Sequence, residues 1–225
     1  MEHPILFLDV ILGHFNLHIP PHVTYSWVVM LILLGVGLMA SRSISLVPKG
    51  AQNVLELVVS GLEEFMVEIT GEEGRAFFPF IATLFLYIMT CNLIGLIPGF
   101  LSPTANINTP LSLALLTFLY THYLGVKYHG AKYIKHFLGP IPALAPLFLP
   151  IEIIGHFARV LSLTLRLFGN IMGEDLVLAI LLFLAGTFLA PLPMMFLAVF
   201  TSVVQAFVFT LLSIMYFAGS MEHAH

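Results

Sequence analysis

The chain has 225 residues, of which 59% are hydrophobic and 9% are charged, with a formal net charge of −4. A soluble domain carries about 25% charged residues, so this composition excludes an ordinary soluble protein and predicts a polytopic membrane protein. There is no basic tail for nucleic acid, and the single cysteine, Cys91, excludes an internal disulfide.

The first half of the chain predicts one membrane span, one amphipathic helix and one helical hairpin. Residues 1–22 mix polar and apolar types, which we interpret as an external arm, and the apolar run 23–40 is long enough to span a bilayer. In residues 50–70 apolar and glutamate residues alternate with a period near 3.6, which predicts a helix on the membrane surface or against a partner. Residues 77–126 predict a helical hairpin that turns at SPTANINTP.

The second half, residues 140–219, predicts a second and longer hairpin. The segment PIPALAPLFLP is expected to break the helix repeatedly because proline removes a backbone donor and clashes with the preceding turn. Residues 151–188 then form one helical stretch, too long to stand upright in a bilayer. We therefore predict a single all-α membrane domain, 1–225, with about five membrane-embedded helices and one amphipathic interfacial helix.

The basic residues predict the orientation of the chain. Six of the eight Lys and Arg residues fall on one side of the five-span arrangement, namely Arg42, Lys49, Arg75, Lys127, Lys132 and Lys135. The positive-inside rule assigns that side to the cytoplasm, so we expect the N-terminus outside and the C-terminus inside.

A polar stripe runs along the long helical stretch of the second hairpin. At about 100° per residue, Glu152, Arg159, Arg166 and Asn170 fall within about 40° of one another. A guanidinium cannot be neutralised and is costly at bilayer depth, so Arg166 must face water, a carboxylate or a partner protein. Intramembrane ionisable residues are by default functional, which makes this stripe the first candidate site.

Other polar residues of this hairpin are more ambiguous. Glu174 and Asp175 lie near the far end of the long helix, and Gln205 lies on the last helix. Intramembrane amides such as Gln205 or Asn92 also serve as interhelical hydrogen bonds, and that alternative stays open. His156 titrates near neutral pH or lies at the headgroup boundary. For the recurring histidines His122, His129 and His136 we assign no metal site.

Several segments resemble subunit a of F-type ATP synthases. ARVLSLTLRLFGNIMGEDLVL is similar to the signature segment of that family, whose core is the run R-L-F-G-N. PIEIIGHFARVLSL, VVQAFVFTLLSIMYF and TANINTPLSLAL also resemble the family, so the similarity extends from about residue 77 to the C-terminus.

The resemblance implies a stator subunit beside a rotating c-ring of small hydrophobic hairpin subunits, each with an ion-binding carboxylate. The last two long helices would be tilted against that ring, and two offset half-channels would conduct protons to and from it. Further implied partners are the peripheral-stalk b subunits, the lipid membrane and, indirectly, the soluble F1 sector. The subunit itself is implied to be non-catalytic, and no cofactor or metal is expected.

The resemblance also assigns residues. Arg166 matches the arginine that faces the ring carboxylate, Asn170 the asparagine of the run, and Gln205 the glutamine of the last helix. The family's channel carboxylate, nine residues after the arginine, is Asp175, although the family's Gly-Glu pair favours Glu174. Its usual histidine partner is replaced by Ala198. We expect the other half-channel to be lined by Glu152, His156, Arg159 and Ser162.

Two alternative classes of function are a stand-alone secondary transporter and an intramembrane enzyme. A stand-alone secondary transporter would use Arg166 as a substrate site, but the chain has no evident internal repeat. An intramembrane enzyme lacks support because neither H-E-x-x-H nor G-x-S-x-G occurs. With no recognisable targeting peptide, we expect a multi-pass protein of the bacterial plasma membrane.

Overall fold

The computed structural model of the protein describes residues 19–42, 51–97, 99–130, 133, 145–185 and 191–221. These residues form six α-helices and two short 3₁₀ helices, Glu72–Phe77 and Pro103–Ala105, and contain no β-strand. The α-helices are α1 (Pro21–Arg42), α2 (Ala51–Thr70), α3 (Phe78–Ile94), α4 (Asn108–His129), α5 (Ala145–Ala185) and α6 (Pro191–Met221). The predicted all-α class is confirmed.

Four of the helices in the described part of the chain are long and apolar enough to cross a membrane, namely α1, α3, α5 and α6. The 22 residues of α4 reach about 33 Å, but its threonines, two histidines and lysine make it more polar than the other four. With 41 residues α5 is about 61 Å long, twice the thickness of the hydrocarbon core. Such a helix fits a bilayer only if it is strongly tilted or partly outside it.

The predicted helix boundaries differ from the structure mainly around prolines. α5 begins at Ala145, so the expectation that PIPALAPLFLP breaks the helix repeatedly is wrong for residues 145–150. Pro146 lies in the first turn, where the missing N–H has no helical partner to lose, and α5 continues through Pro150. Pro21 likewise starts α1, two residues before the predicted span. Most of the predicted external arm, residues 1–18, lies outside the described residues.

The core is the contact region of α3, α4, α5 and α6. Phe217 of α6 packs edge-on against Phe77 at a centroid distance of 5.4 Å, and Phe80 stacks on Tyr120 of α4 at 4.6 Å. Large apolar side chains also cover the outside of the bundle, as at Phe183, which is 88% exposed. Exposed apolar surface on this scale is what lipid covers in a membrane protein.

The amphipathic helix α2 packs by its apolar side on α3 and α6. Leu62 and Met66 are buried there, while Glu64 and Glu68 are exposed. The next turn is joined to α2 by an exposed ion pair, in which Nε of Arg75 lies 3.5 Å from Oε1 of Glu63. Because exposed ion pairs contribute little, the apolar contacts hold α2 in place.

Candidate functional site

The predicted polar stripe of α5 lies along the border between the buried and the exposed side of that helix. Leu163 and Leu167 are buried in the core, whereas Arg159, Arg166 and Asn170 are exposed. The heptad spacing of Arg159 and Arg166 produces this arrangement, because seven residues are nearly two helical turns. The stripe is therefore open on one side and touches α6 on the other.

Arg166 lies near the middle of α5, on a surface that no described helix covers. Exposed apolar residues, such as Leu165 and Met172, flank the polar stripe on α5. Within the described residues, no carboxylate lies at ion-pair distance from its guanidinium. A permanent cation on an apolar surface needs an anionic or aqueous partner that approaches from outside this chain.

Asn170, one turn beyond Arg166, is held by α6. Its Nδ2 donates to Oε1 of Gln205 at 2.6 Å. Gln205 is 3% exposed, and its Nε2 has no hydrogen-bond partner among the described residues. The structure thus brings together two predicted site residues that are 35 positions apart in sequence.

The acidic pair follows one turn beyond Asn170. Glu174 is 9% exposed and points to the buried side of α5, and its Oε2 has no hydrogen-bond partner among the described residues. Asp175 is partly exposed. An unpaired buried carboxyl is costly when charged, so Glu174 requires water or a proton at this place.

A set of buried polar groups adjoins this acidic pair. Nδ2 of Asn92 donates to the carbonyl oxygen of Ser202 at 3.3 Å, and Oγ1 of Thr104 donates to Oδ1 of Asn92 at 2.6 Å. The Pro103–Ala105 helix also contacts α5. We call this region the amide end; its residues are Asn92, Thr104, Asn170, Glu174, Asp175, Ser202 and Gln205.

Sequence reasoning considered Asn92 only as an interhelical hydrogen bond and assigned no role to Ser202 or Thr104. The available signal was the polar turn SPTANINTP, but its contact with α3 depends on the three-dimensional fold. The hydroxyl of Ser202 is also buried without a hydrogen-bond partner among the described residues. Unpartnered buried polar atoms from α5 and α6 therefore lie together at this end of the bundle, where leaving them without a hydrogen bond is costly.

A second polar region lies toward the start of α5. Nε2 of His156 is 3.4 Å from Oε1 of Glu152, and the guanidinium of Arg159 lies 5.5 Å from the ring centre of Tyr216 on α6. Ser162 is exposed on the same side of α5. Three of the four residues predicted for the second half-channel therefore make side-chain contacts here.

Besides Tyr216, this region includes two further residues that sequence reasoning did not assign. The rings of His122 and His156 are 4.8 Å apart, and Nδ1 of His122 lies 2.9 Å from the hydroxyl of Tyr133. We call this region the imidazole end; its residues are His122, Tyr133, Glu152, His156, Arg159 and Tyr216.

The two ends are separated along α5. Glu152 and Glu174 are 22 residues apart, which corresponds to about 33 Å along the helix axis. Arg166 lies between them, about 21 Å from the level of Glu152 and about 12 Å from that of Glu174 along the same axis. The arrangement places polar groups at two levels of α5 and Arg166 between them.

Comparison with known proteins gives a consistent result. The family model described as ATP synthase A chain matches residues 23–218. The chain is 59% identical to ATP synthase subunit a of Syntrophobacter fumaroxidans, 60% to that of Desulfosudis oleivorans and 52% to that of Trichlorobacter lovleyi, each over the full length of both chains. The chain belongs to the ATP synthase A chain family.

Proposed function

We propose that this chain is the ion-translocating stator subunit of the membrane sector of a rotary ATP synthase and does no catalysis itself. The observation that carries the proposal is the position of Arg166, exposed at the middle of α5 between the amide end and the imidazole end. Family membership supports this role over a stand-alone transporter that uses Arg166 as a substrate site.

The exposed side of α5 is the surface for the c-ring. A ring carboxyl that passes through lipid must be neutral, because an isolated carboxylate is too costly there. When that carboxyl reaches Arg166, the fixed guanidinium favours its ionised form, and the proton leaves. The neighbouring apolar side chains of α5 exclude water, which strengthens this interaction.

The two polar ends are the two half-channels. One ring carboxyl releases its proton to one end, passes Arg166 as an ion pair, and takes up a proton from the other end. One proton thus crosses the membrane for each ring subunit that passes, and the ring turns in one direction. Rotation then drives ATP synthesis in the separate soluble sector, while the peripheral-stalk b subunits hold this chain in place.

The positive-inside rule gives the direction. The imidazole end lies on the side of Arg75 and Lys127, which we assign to the cytoplasm, and the amide end opens to the outside of a bacterial plasma membrane. Protons enter through Asn170, Glu174, Asp175 and Gln205 during synthesis. They leave past Glu152, His156, Arg159 and Ser162.

The test is ATP-driven proton pumping by inverted membrane vesicles that carry Arg166→Ala, with assembly checked by co-purification of the ring and the soluble subunits. We expect pumping to vanish while the complex still assembles. Arg75→Ala is the matched control, since it removes an exposed cation that is paired on the surface. Pumping near the normal rate in Arg166→Ala would show that Arg166 is a packing residue.

A further inference from the structure

At the imidazole end, side-chain contacts of His122 connect α4 to α5. His122 of α4 faces His156 of α5 with a ring-centre distance of 4.8 Å. The ring of Phe118 lies edge-on to both, at 4.3 Å from His122 and 5.9 Å from His156. This aromatic wall fixes the two imidazoles next to each other.

Tyr133 covers one side of the His122 ring. The hydroxyl of Tyr133 lies 2.9 Å from Nδ1 of His122, and Tyr133 is 8% exposed. A Cβ at Gly125 would overlap the Tyr133 ring, so the glycine is what lets this ring lie against α4. The hydrogen bond therefore sets the orientation of the His122 ring, as a partner on one nitrogen does for histidine generally.

On α5, His156 continues this row of contacts toward the polar stripe of that helix. His156 is next to Glu152 at 3.4 Å, and a small cavity between α4, α5 and α6 is lined by Thr117, Thr121, His156, Arg159 and Tyr216. Tyr133, His122, His156 and Glu152 thus form one row of proton-carrying groups, with the charge of Arg159 beside it.

We propose that His122 is a proton-transfer residue of the half-channel at the imidazole end and works as a pair with His156. This inference rests on the proposed function. His122 accepts one proton at one ring nitrogen, becoming imidazolium, and releases one from the other to His156 or to water in the cavity. The ring is then neutral with its N–H on the opposite nitrogen, and proton exchange with water at both nitrogens restores the starting tautomer. Imidazole suits the step because its unperturbed charge change falls between pH 5 and 8.

The experiment uses the whole ATP synthase in inverted vesicles and compares His122→Ala with His129→Ala. His129 is the matched control because it lies two turns further along α4. We expect His122→Ala to lower ATP-driven pumping at least about tenfold at saturating ATP, the scale of a lost acid–base group, and His129→Ala to leave it unchanged.

Chemical rescue separates proton transfer from a structural role. Free imidazole added to His122→Ala vesicles is expected to restore pumping, with a pH dependence that follows the added base. Normal pumping in His122→Ala, or reduced pumping that imidazole does not restore, would overturn the proposal. If His122→Ala fails to assemble, His122→Gln keeps a hydrogen-bonding side chain of similar reach. It must show the same loss and the same rescue, or the proposal is wrong.

Different experimental results would contradict the proposed function and the inference about His122. Arg166→Ala in the same vesicles tests the former, and imidazole is not expected to rescue it. Loss of pumping in Arg166→Ala together with normal pumping in His122→Ala would leave the stator function intact and remove only His122 from the path.

Discussion

At the amide end, Asn92, Ser202 and Gln205 are enclosed by helices, whereas Glu152 and Arg159 of the imidazole end are accessible from outside the bundle. The three enclosed residues are at most 3% exposed, and Oγ of Ser202 and Nε2 of Gln205 have no hydrogen-bond partner among the described residues. By contrast, 35% of the Glu152 side chain is exposed, and its carboxylate faces His156. The amide end therefore combines buried amide and hydroxyl groups with an acidic pair, and the imidazole end presents imidazole and carboxyl groups closer to the surface.

Because of this difference, we expect different kinds of substitution to impair proton transport at the two ends. Changes of shape or hydrogen bonding are expected to matter most at the amide end, because its buried amides and hydroxyls depend on side-chain geometry. Changes of protonation chemistry are expected to matter at both ends, through Glu174 and Asp175 at the amide end and through His122 and His156 at the imidazole end. The following predictions test this contrast, in order of decreasing effect.

The largest effect is expected from removal of both carboxylates at the amide end. Glu174→Gln with Asp175→Asn is predicted to lower ATP-driven pumping at least about tenfold, since no ionisable side chain then remains beside Asn170 and Gln205. Each single substitution is expected to cost less, because the neighbouring carboxyl remains. Pumping in inverted vesicles measures the effect.

Glu63→Gln is the control for that double substitution, because Glu63 is a carboxylate in a surface ion pair of α2. Pumping close to normal in the double variant would mean that the acidic pair is not on the proton path. Equal losses in the control and the double variant would point to a general effect of lost charge.

A smaller effect is expected at the hydrogen bond between α5 and α6. Asn170→Ala and Gln205→Ala each remove the 2.6 Å contact, and the double variant is predicted to show a coupling energy of about 1 kcal/mol in the unfolding of the complex. Coupling near zero would show that the two amides do not interact in the membrane. In that case the helix spacing at the amide end must come from apolar packing.

The smallest effect is expected from Thr104→Val. The substitution keeps the shape but removes the donor to Oδ1 of Asn92, which should lower the free energy of unfolding by about 1 kcal/mol. Thr83→Val is the control, because the Thr83 hydroxyl bonds only to the carbonyl of Pro79 within its own helix. Indistinguishable thermal unfolding of the two variants would contradict the role given to Thr104.

The sequence predicted local features of the fold well. Hydrophobic runs and one amphipathic pattern located the six α-helices of the described residues, and the heptad spacing of Glu152, Arg159 and Arg166 placed the stripe on one side of α5. The start of α5 was predicted too late, since the helix penalty of Pro150 is outweighed by the context of a long apolar helix. The helix propensities of single residues do not include the effect of such a long apolar helix.

Contacts between distant residues could not be predicted. The bonds of Thr104 to Asn92 and of Tyr133 to His122 depend on how loops fold back on the helices, and no periodicity encodes them. The same holds for the burial of Glu174, because a helical wheel gives its direction but not what covers it. The sequence therefore identified the site residues of α5 together with Gln205 of α6, but not Thr104, His122 and Tyr133, which contact site residues from other parts of the chain.

The separation of the two polar ends by Arg166 is tested most directly by passive proton flow. Vesicles that carry Arg166→Ala are stripped of the soluble sector, and the decay of an imposed pH gradient is compared with that in the unchanged protein. We expect the gradient to decay faster in the variant, because the cation that keeps protons from passing directly between the two ends is gone. Equal decay, with the ring still assembled, would contradict the claim that Arg166 is the barrier.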